Sequence, residues 1–184
     1  MAKLGEADAA WIAADRAVFT AEAIGAPLTV AASMFRMAHV FLSLGQVAQA
    51  QQAATATAQA LEPLIDADPP VEALSLCGAF QLVPAVVAAH DNDRSQAHKH
   101  LAVAHDIAER IDEDRDDYGT EFGPSNVAIH AVGIAVELGD AGQALDLARD
   151  VDAESLSPKR GSRYLIDLAT AHAMQRQIGE ALHD

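Results

Sequence analysis

The chain has 184 residues, 51% of them hydrophobic and only 4% aromatic, with 12 Lys and Arg against 27 Asp and Glu and a formal charge of -15. This length suits one domain with a continuous core, and a surface so acidic repels a phosphate backbone, which excludes an unaided grip on DNA or RNA. Abundant alanine with few β-branched and aromatic residues predicts an all-α protein.

Cys77 is the single cysteine and sits in the apolar run 74–80, so neither an intramolecular disulfide nor a cysteine metal cluster can form. The longest charge-free apolar stretch, Ala73 to Ala89, is interrupted by Gln81 and Pro84 and falls short of the ~20 residues of a spanning helix. The start, Met1-Ala2-Lys3-Leu4-Gly5-Glu6, has no apolar leader segment. The expectation is a soluble, cytoplasmic chain with no membrane partner.

Glycine, proline and Asp/Asn clusters cut the sequence into segments with apolar residues three and four apart, the period of helices packed on one face. In chain order the helices are expected over 5–24, 27–44, 46–62, 70–90, 93–111, 124–138, 140–151, 158–176 and from 178 to the end, nine in all. A small residue recurs in the first turns of the second helix of each pair: Ala50, Ala97, Ala144 and Ala181, spaced by 47, 47 and 37 residues. Small residues there let the helices of a hairpin approach closely. The pairs are about 27–62, 70–111, 124–151 and 158–184, within a single domain over 1–184.

The pieces Gly45-Gln46-Val47-Ala48-Gln49-Ala50 and Gly139-Asp140-Ala141-Gly142-Gln143-Ala144 resemble tetratricopeptide (TPR) repeats. The resemblance implies a right-handed superhelix of antiparallel helix pairs, a TPR-like α-solenoid. Across nearly the whole chain, the segments 4–16, 122–130 and 136–140 look like the C-terminal TPR-like region of actinobacterial XRE-family helix-turn-helix transcriptional regulators. In that family a small DNA-binding domain precedes such a region. This chain carries no basic helix-turn-helix segment, so the likeness implies a fragment of a longer regulator, reaching DNA only through a domain absent from it.

His98, His100 and His105 cluster beside Asp106, yet His98 and His105 lie about 10 Å apart along a helix axis and cannot share an ion. The run Asp112-Glu113-Asp114-Arg115-Asp116-Asp117 begins like a calcium loop, but Asp117 and Gly123 stand where such a loop needs Gly and Glu. No metal or other cofactor is expected. Without a nucleophile elbow, phosphate loop or dinucleotide fingerprint, and with no carboxylate pair set apart, no catalytic residue is assigned and the protein is read as a non-enzyme. The connection from Ile111 to Gly123 is longer than a tight turn and carries Tyr118 and Phe122, which could fold over a groove as a lid.

Gly123 and Pro124 fix a helix entrance, and Asn126 and His130, four residues apart, share one face of the helix that follows. Either they line a concave surface and hold a ligand, or Asn126 caps the helix or bonds a neighbouring hairpin while His130 fills a polar niche. Phe35, Arg36 and His39, Leu82 and Val86, and Arg163, Ile166, Asp167 and Thr170 are the other groove candidates. Arg36 and Arg163 would select an anionic group such as a peptide carboxylate, unless Arg163 is taken by Asp167 one turn away. The groove set is thus Arg36, His39, Tyr118, Phe122, Asn126, His130, Arg163 and Asp167. Trp11 is expected to pack in the core against the next hairpin, and exposed terminal helices, including Ala181 and Leu182, would favour a homodimer.

The expected function is a ligand- or peptide-sensing and dimerisation domain of a transcriptional regulator. The alternative is a free-standing TPR-like scaffold for protein partners.

Overall fold

The computed structural model describes residues 4–65 and 69–181, with no side-chain account of the first few residues of the first helix or the end of the last. Among these residues the chain forms α1 (Leu4–Ile24), α2 (Pro27–Ser43), α3 (Val47–Leu61), α4 (Val71–His90), α5 (Arg94–Ile111), α6 (Pro124–Glu137), α7 (Ala141–Ala148) and α8 (Pro158–Ala181). Single 3-10 turns lie at Glu62–Leu64 and Asp117–Gly119, and no strand forms among the described residues. Among the described residues the protein is all-helical, with eight helices. The expected ninth is absent as a separate element, because α8 runs through Ile178 and Gly179 to Ala181. That stretch holds no proline, and a lone glycine such as Gly179 costs a helix only about 1 kcal/mol. Leu182 lies outside the described residues.

One turn recurs in the connections: Gly25 makes it with a longer reach-back, the Ala26 amide to the Ala21 carbonyl at 3.4 Å, and three later connections repeat it closely. At Gly45, Asn92 and Gly139 the chain enters the left-handed region, with φ of 72°, 58° and 81°. In each case the next amide reaches back five residues at 2.8 Å: Gln46 to the Phe41 carbonyl, Asp93 to Ala88, Asp140 to Ala135. The turn residue's own amide bonds the carbonyl three before it, on Leu42, Ala89 and Val136. This is a Schellman stop, which satisfies the orphan carbonyls of the ending helix. Five residues after each stop comes Ala50, Ala97 or Ala144, all with no exposed surface. The 47-residue period read from alanines is therefore also a period of backbone geometry in the hairpins α2–α3, α4–α5 and α6–α7.

Each helix packs on the next in sequence, and α2, α4, α6 and α8 also touch in succession, forming one row. The middle of the molecule is α4, apolar on every side and buried from Ala73 to Ala89 apart from Gln81 and Val86. By length and hydropathy (20 residues, mean 1.7) α4 could cross a membrane, but most of it is buried inside the protein, as a central core helix must be. Leu74, Leu76, Phe80 and Val83 join α2, α3, α5 and Phe122 in the largest cluster; Ile129, Val132, Tyr164 and Ala171 form a second among α6, α7 and α8. At the seam between repeats, Arg94 bonds both carboxylate oxygens of Asp140 and the Leu138 carbonyl, and His90 meets Glu137 at 2.8 Å.

α1 is less covered. Trp11 is 41% exposed, and Ile12, Phe19 and Ile24 are exposed further, so the tryptophan is not the core residue expected from the sequence. The reason is positional: α1 packs on α2, whereas α2 also has α3 and α4 to pack on.

Candidate functional site

The connection between α5 and α6 shapes the site. Asp112 ends α5 in the left-handed region (φ 57°), and the Arg115 amide bonds the Phe122 carbonyl at 2.9 Å, pinching the segment into a closed loop. Asp116 accepts from the Glu121 amide at 3.2 Å and Asp114 from the Ser125 amide at 3.0 Å, so the acidic run caps its own backbone. Asp117 is anchored to α4: buried Ser75 donates to it at 2.8 Å, and Arg115 donates to both its oxygens at 2.7 and 3.2 Å. Arg115 holds the Asp117 carboxyl below the usual range despite its partial burial.

Phe122 has no exposed surface and sits against Gly78 of α4, where even a methyl group would lie 2.0 Å from the ring. Phe122 is thus a core plug and lines no groove, which corrects its placement in the groove set. The loop is fastened inward by a ring and a carboxylate and does not act as a free lid.

The other side of the connection faces a cleft of about 490 Å³. Ala13, Ala14 and Ala17 of α1 and Phe35 and Val40 of α2 give it an apolar wall. Arg36 and His39 of α2, Gly119, Thr120 and Glu121 of the connection, and Lys159 and Arg160 of α8 give it a polar one. Backbone strain gathers here: Tyr118 and Glu121 have φ of 54° and 47°, where side chains are disfavoured, and Gly119 has 72°. Arg36 lies over Gly119 and donates to the Tyr118 carbonyl at 3.0 Å, its only hydrogen bond among the described residues, and it has no ion pair there. Lys159 has neither. Arg160 is fully engaged, donating to Glu121, to the Asn126 side-chain oxygen and, at 2.7 Å, to the Thr120 carbonyl.

Four of the chain's twelve Lys and Arg (Arg36, Lys159, Arg160 and Arg163) are close enough to act on two histidines. His39, edge-on to Phe35 with centroids 4.4 Å apart, donates through Nδ1 to the Phe35 carbonyl at 3.0 Å. Desolvation, and then the charges of Lys159, Arg160 and Arg36, hold its pKa below the ordinary value although Nδ1 is hydrogen-bonded. His130 donates through Nδ1 to the Asn126 carbonyl at 2.8 Å; burial first, with Arg160, His39 and Arg163 adding to it, pulls its pKa down to about 4. Both rings are neutral at pH 7, with Nε2 carrying the lone pair.

The structure therefore brings Arg36, His39, Asn126 and His130 into one neighbourhood, with Tyr118 beside them through its backbone. Asn126 is buried, makes no side-chain cap bond and accepts from Arg160 of α8. Arg163 pairs with the largely buried Asp167 at 3.1 Å, the intramolecular option raised from the sequence. Leu82 is buried in the core, whereas Val86 and Ile166 are exposed. Lys159, Arg160 and Glu121 were missed. Their signal was present as two cations directly after Pro158, at the start of a helix, where cations are unfavourable.

Beyond the Arg160–Glu121 pair lies a second cavity of about 310 Å³, between Asp114, Asp116, Ser125 and Ser157. On α5, His105, Asp106 and Glu109 bring one ligand atom each within 4.8 Å of one another, but all three are exposed and His105 and Glu109 form an ordinary i,i+4 pair at 3.8 Å. No family model matches the chain, and no curated protein or solved structure matches it.

Proposed function

We propose that the chain is the effector-binding and dimerisation domain of a transcriptional regulator, cytoplasmic and non-catalytic, with its ligand in the cleft between α1, α2 and the start of α8. The observation that carries this is a pair of cations, Arg36 and Lys159, set without ion-pair partners among the described residues at a cleft of ligand size in a chain of charge -15. Arg94, Arg115, Arg149, Arg160 and Arg163 are ion-paired, and Arg16, Lys99 and Arg110 also lack an ion-pair partner among the described residues; what sets Arg36 and Lys159 apart is that both line one cleft. The resemblance to XRE-family sensor regions supports the regulatory class, and the repeating stops with the row α2, α4, α6 and α8 support a TPR-like superhelix.

The cleft joins α1 and α2 to α8, the two ends of that row. A ligand that bound one spacing of these ends better than another would shift the population of spacings, and with it the separation of attached DNA-binding domains. The exposed apolar residues of α1, Trp11, Ile12, Phe19 and Ile24, offer a surface for a second copy.

Light scattering combined with nuclear magnetic resonance of the histidines, across a library of metabolites and short peptides, tests this. A dimer whose His39 resonance moves with at least one library member, and whose Arg36→Gln variant does not respond, is the expected result. A monomer with an unresponsive cleft that captures a folded protein partner would favour the scaffold function instead.

A further inference from the structure

We propose that the cleft takes a small amphipathic anion, its carboxylate or phosphate head between Arg36 and Lys159 and its apolar body against Ala13, Ala17 and Phe35. This rests on the cleft being the effector site and adds the chemistry of what enters it.

Charge placement comes first. Lys159 and Arg160 are the second and third residues of α8, where the helix's own unpaired amides already create positive potential, and no acid stands in that first turn. Arg160 is compensated by Glu121, and Glu121 is also held by Ser157 at 3.1 Å, so its carboxylate is committed and does little to repel a second anion. Arg36 arrives from α2 with a single backbone contact. Arg36 and Lys159, neither in an ion pair among the described residues and Lys159 only partly offset at a distance by Glu121, make with the helix start a pole that an anion would relieve, and the two can grip one head group in charge-assisted bonds.

The opposite wall argues for more than a bare ion. It is made of alanine methyl groups and one phenylalanine edge, and the small side chains leave the room that a body of several carbons needs. Phe35 is backed by Phe80 at 5.5 Å, a fixed apolar floor.

His39 supplies a reporter between the two walls. Its Nδ1 proton is committed to the Phe35 carbonyl, so Nε2 is the nitrogen that titrates. The groups acting on it are Arg36 on α2 and Lys159 and Arg160 on α8, while it acts in turn on His130 of α6, and Glu121 lies nearby on the cleft wall. A bound anion offsets those cations, so His39 should take up a proton as the ligand enters.

Calorimetric titration of the full chain with octanoate, octyl phosphate, inorganic phosphate and octanol, repeated in buffers of different ionisation heat, decides the matter. Saturable binding of octanoate or octyl phosphate is expected, with proton uptake below neutral pH, and the tighter of the two identifies the head group. Inorganic phosphate and octanol should each bind about tenfold more weakly or worse. Lys159→Gln and Arg36→Gln should each weaken the organic anion about tenfold, and Ala17→Phe, at an exposed position on the apolar wall, should block it while the fold is retained by circular dichroism. Octanol binding as tightly as octanoate, inorganic phosphate binding as tightly as octyl phosphate, or no binding of either organic anion at millimolar concentration would each overturn the assignment. In the last case a His39 response to the metabolite and peptide library would leave the effector function standing and reject only this ligand class; silence from both would remove both.

Discussion

The two sides of the connection between α5 and α6 differ in kind. Its inner side is fully satisfied: Phe122 fills the space over Gly78, Asp117 is held by Ser75 and Arg115, and Thr120 closes on the Asp117 carbonyl. Its outer side carries left-handed Tyr118 and Glu121 and faces cations that lack ion-pair partners among the described residues. The same dozen residues thus build a stable plug and an unrelieved wall. The inner fixings make it possible for the outer side to remain strained and charged, a common arrangement where a protein keeps a site open.

Removing the plug should have the largest effect. Phe122→Ala is expected to cost about 3–5 kcal/mol, measured by denaturant melts, because the ring leaves a void that α4 cannot collapse to fill. Acid comes next. His130 binds its proton less readily folded (pKa about 4) than unfolded, so the unfolded state holds more protons between roughly pH 6.5 and 4 and stability falls as pH falls through that window. The loss should be on the order of 2 kcal/mol, His39 contributing in the same direction, and a His130→Gln variant should flatten the profile of urea midpoints against pH.

Ser75→Ala should cost about 1–2 kcal/mol, since it takes one donor from a partly buried carboxylate that Arg115 still serves. The smallest effect should have the opposite sign. Lys159→Gln is expected to leave stability unchanged or raise it by about 0.3–0.5 kcal/mol, by removing a cation from a helix start. A clear loss of stability in Lys159→Gln would instead show that Lys159 belongs to the satisfied side, and the contrast between the two faces would fail.

Much of the fold was legible because its stops are local. Gly45, Gly139 and the Asn-Asp pair at 92–93 ended helices within a residue or two of their expected limits, since left-handed stops depend on the residue that sits there. The ninth helix is not a separate element because Gly179 alone does not stop α8. The site was legible on α2 and α6, where Arg36 and His39, and Asn126 and His130, follow the helical period. Phe122 was misplaced because its burial depends on a missing side chain at Gly78, 44 residues earlier, and no local pattern links the two. Lys159 and Arg160 escaped because their meeting with Arg36 exists only once α8 has docked beside the connection.

The three matched stops also set how the molecule should respond to tension. Hairpins measured out in equal 47-residue lengths, each holding chiefly to its neighbours, hold equal lengths of slack. Drawn out from its two ends in an optical trap, the chain should lengthen in increments of about 160 Å, one hairpin at a time. The step that frees α4–α5 should demand the greatest force, because the Phe122 ring is wedged behind it.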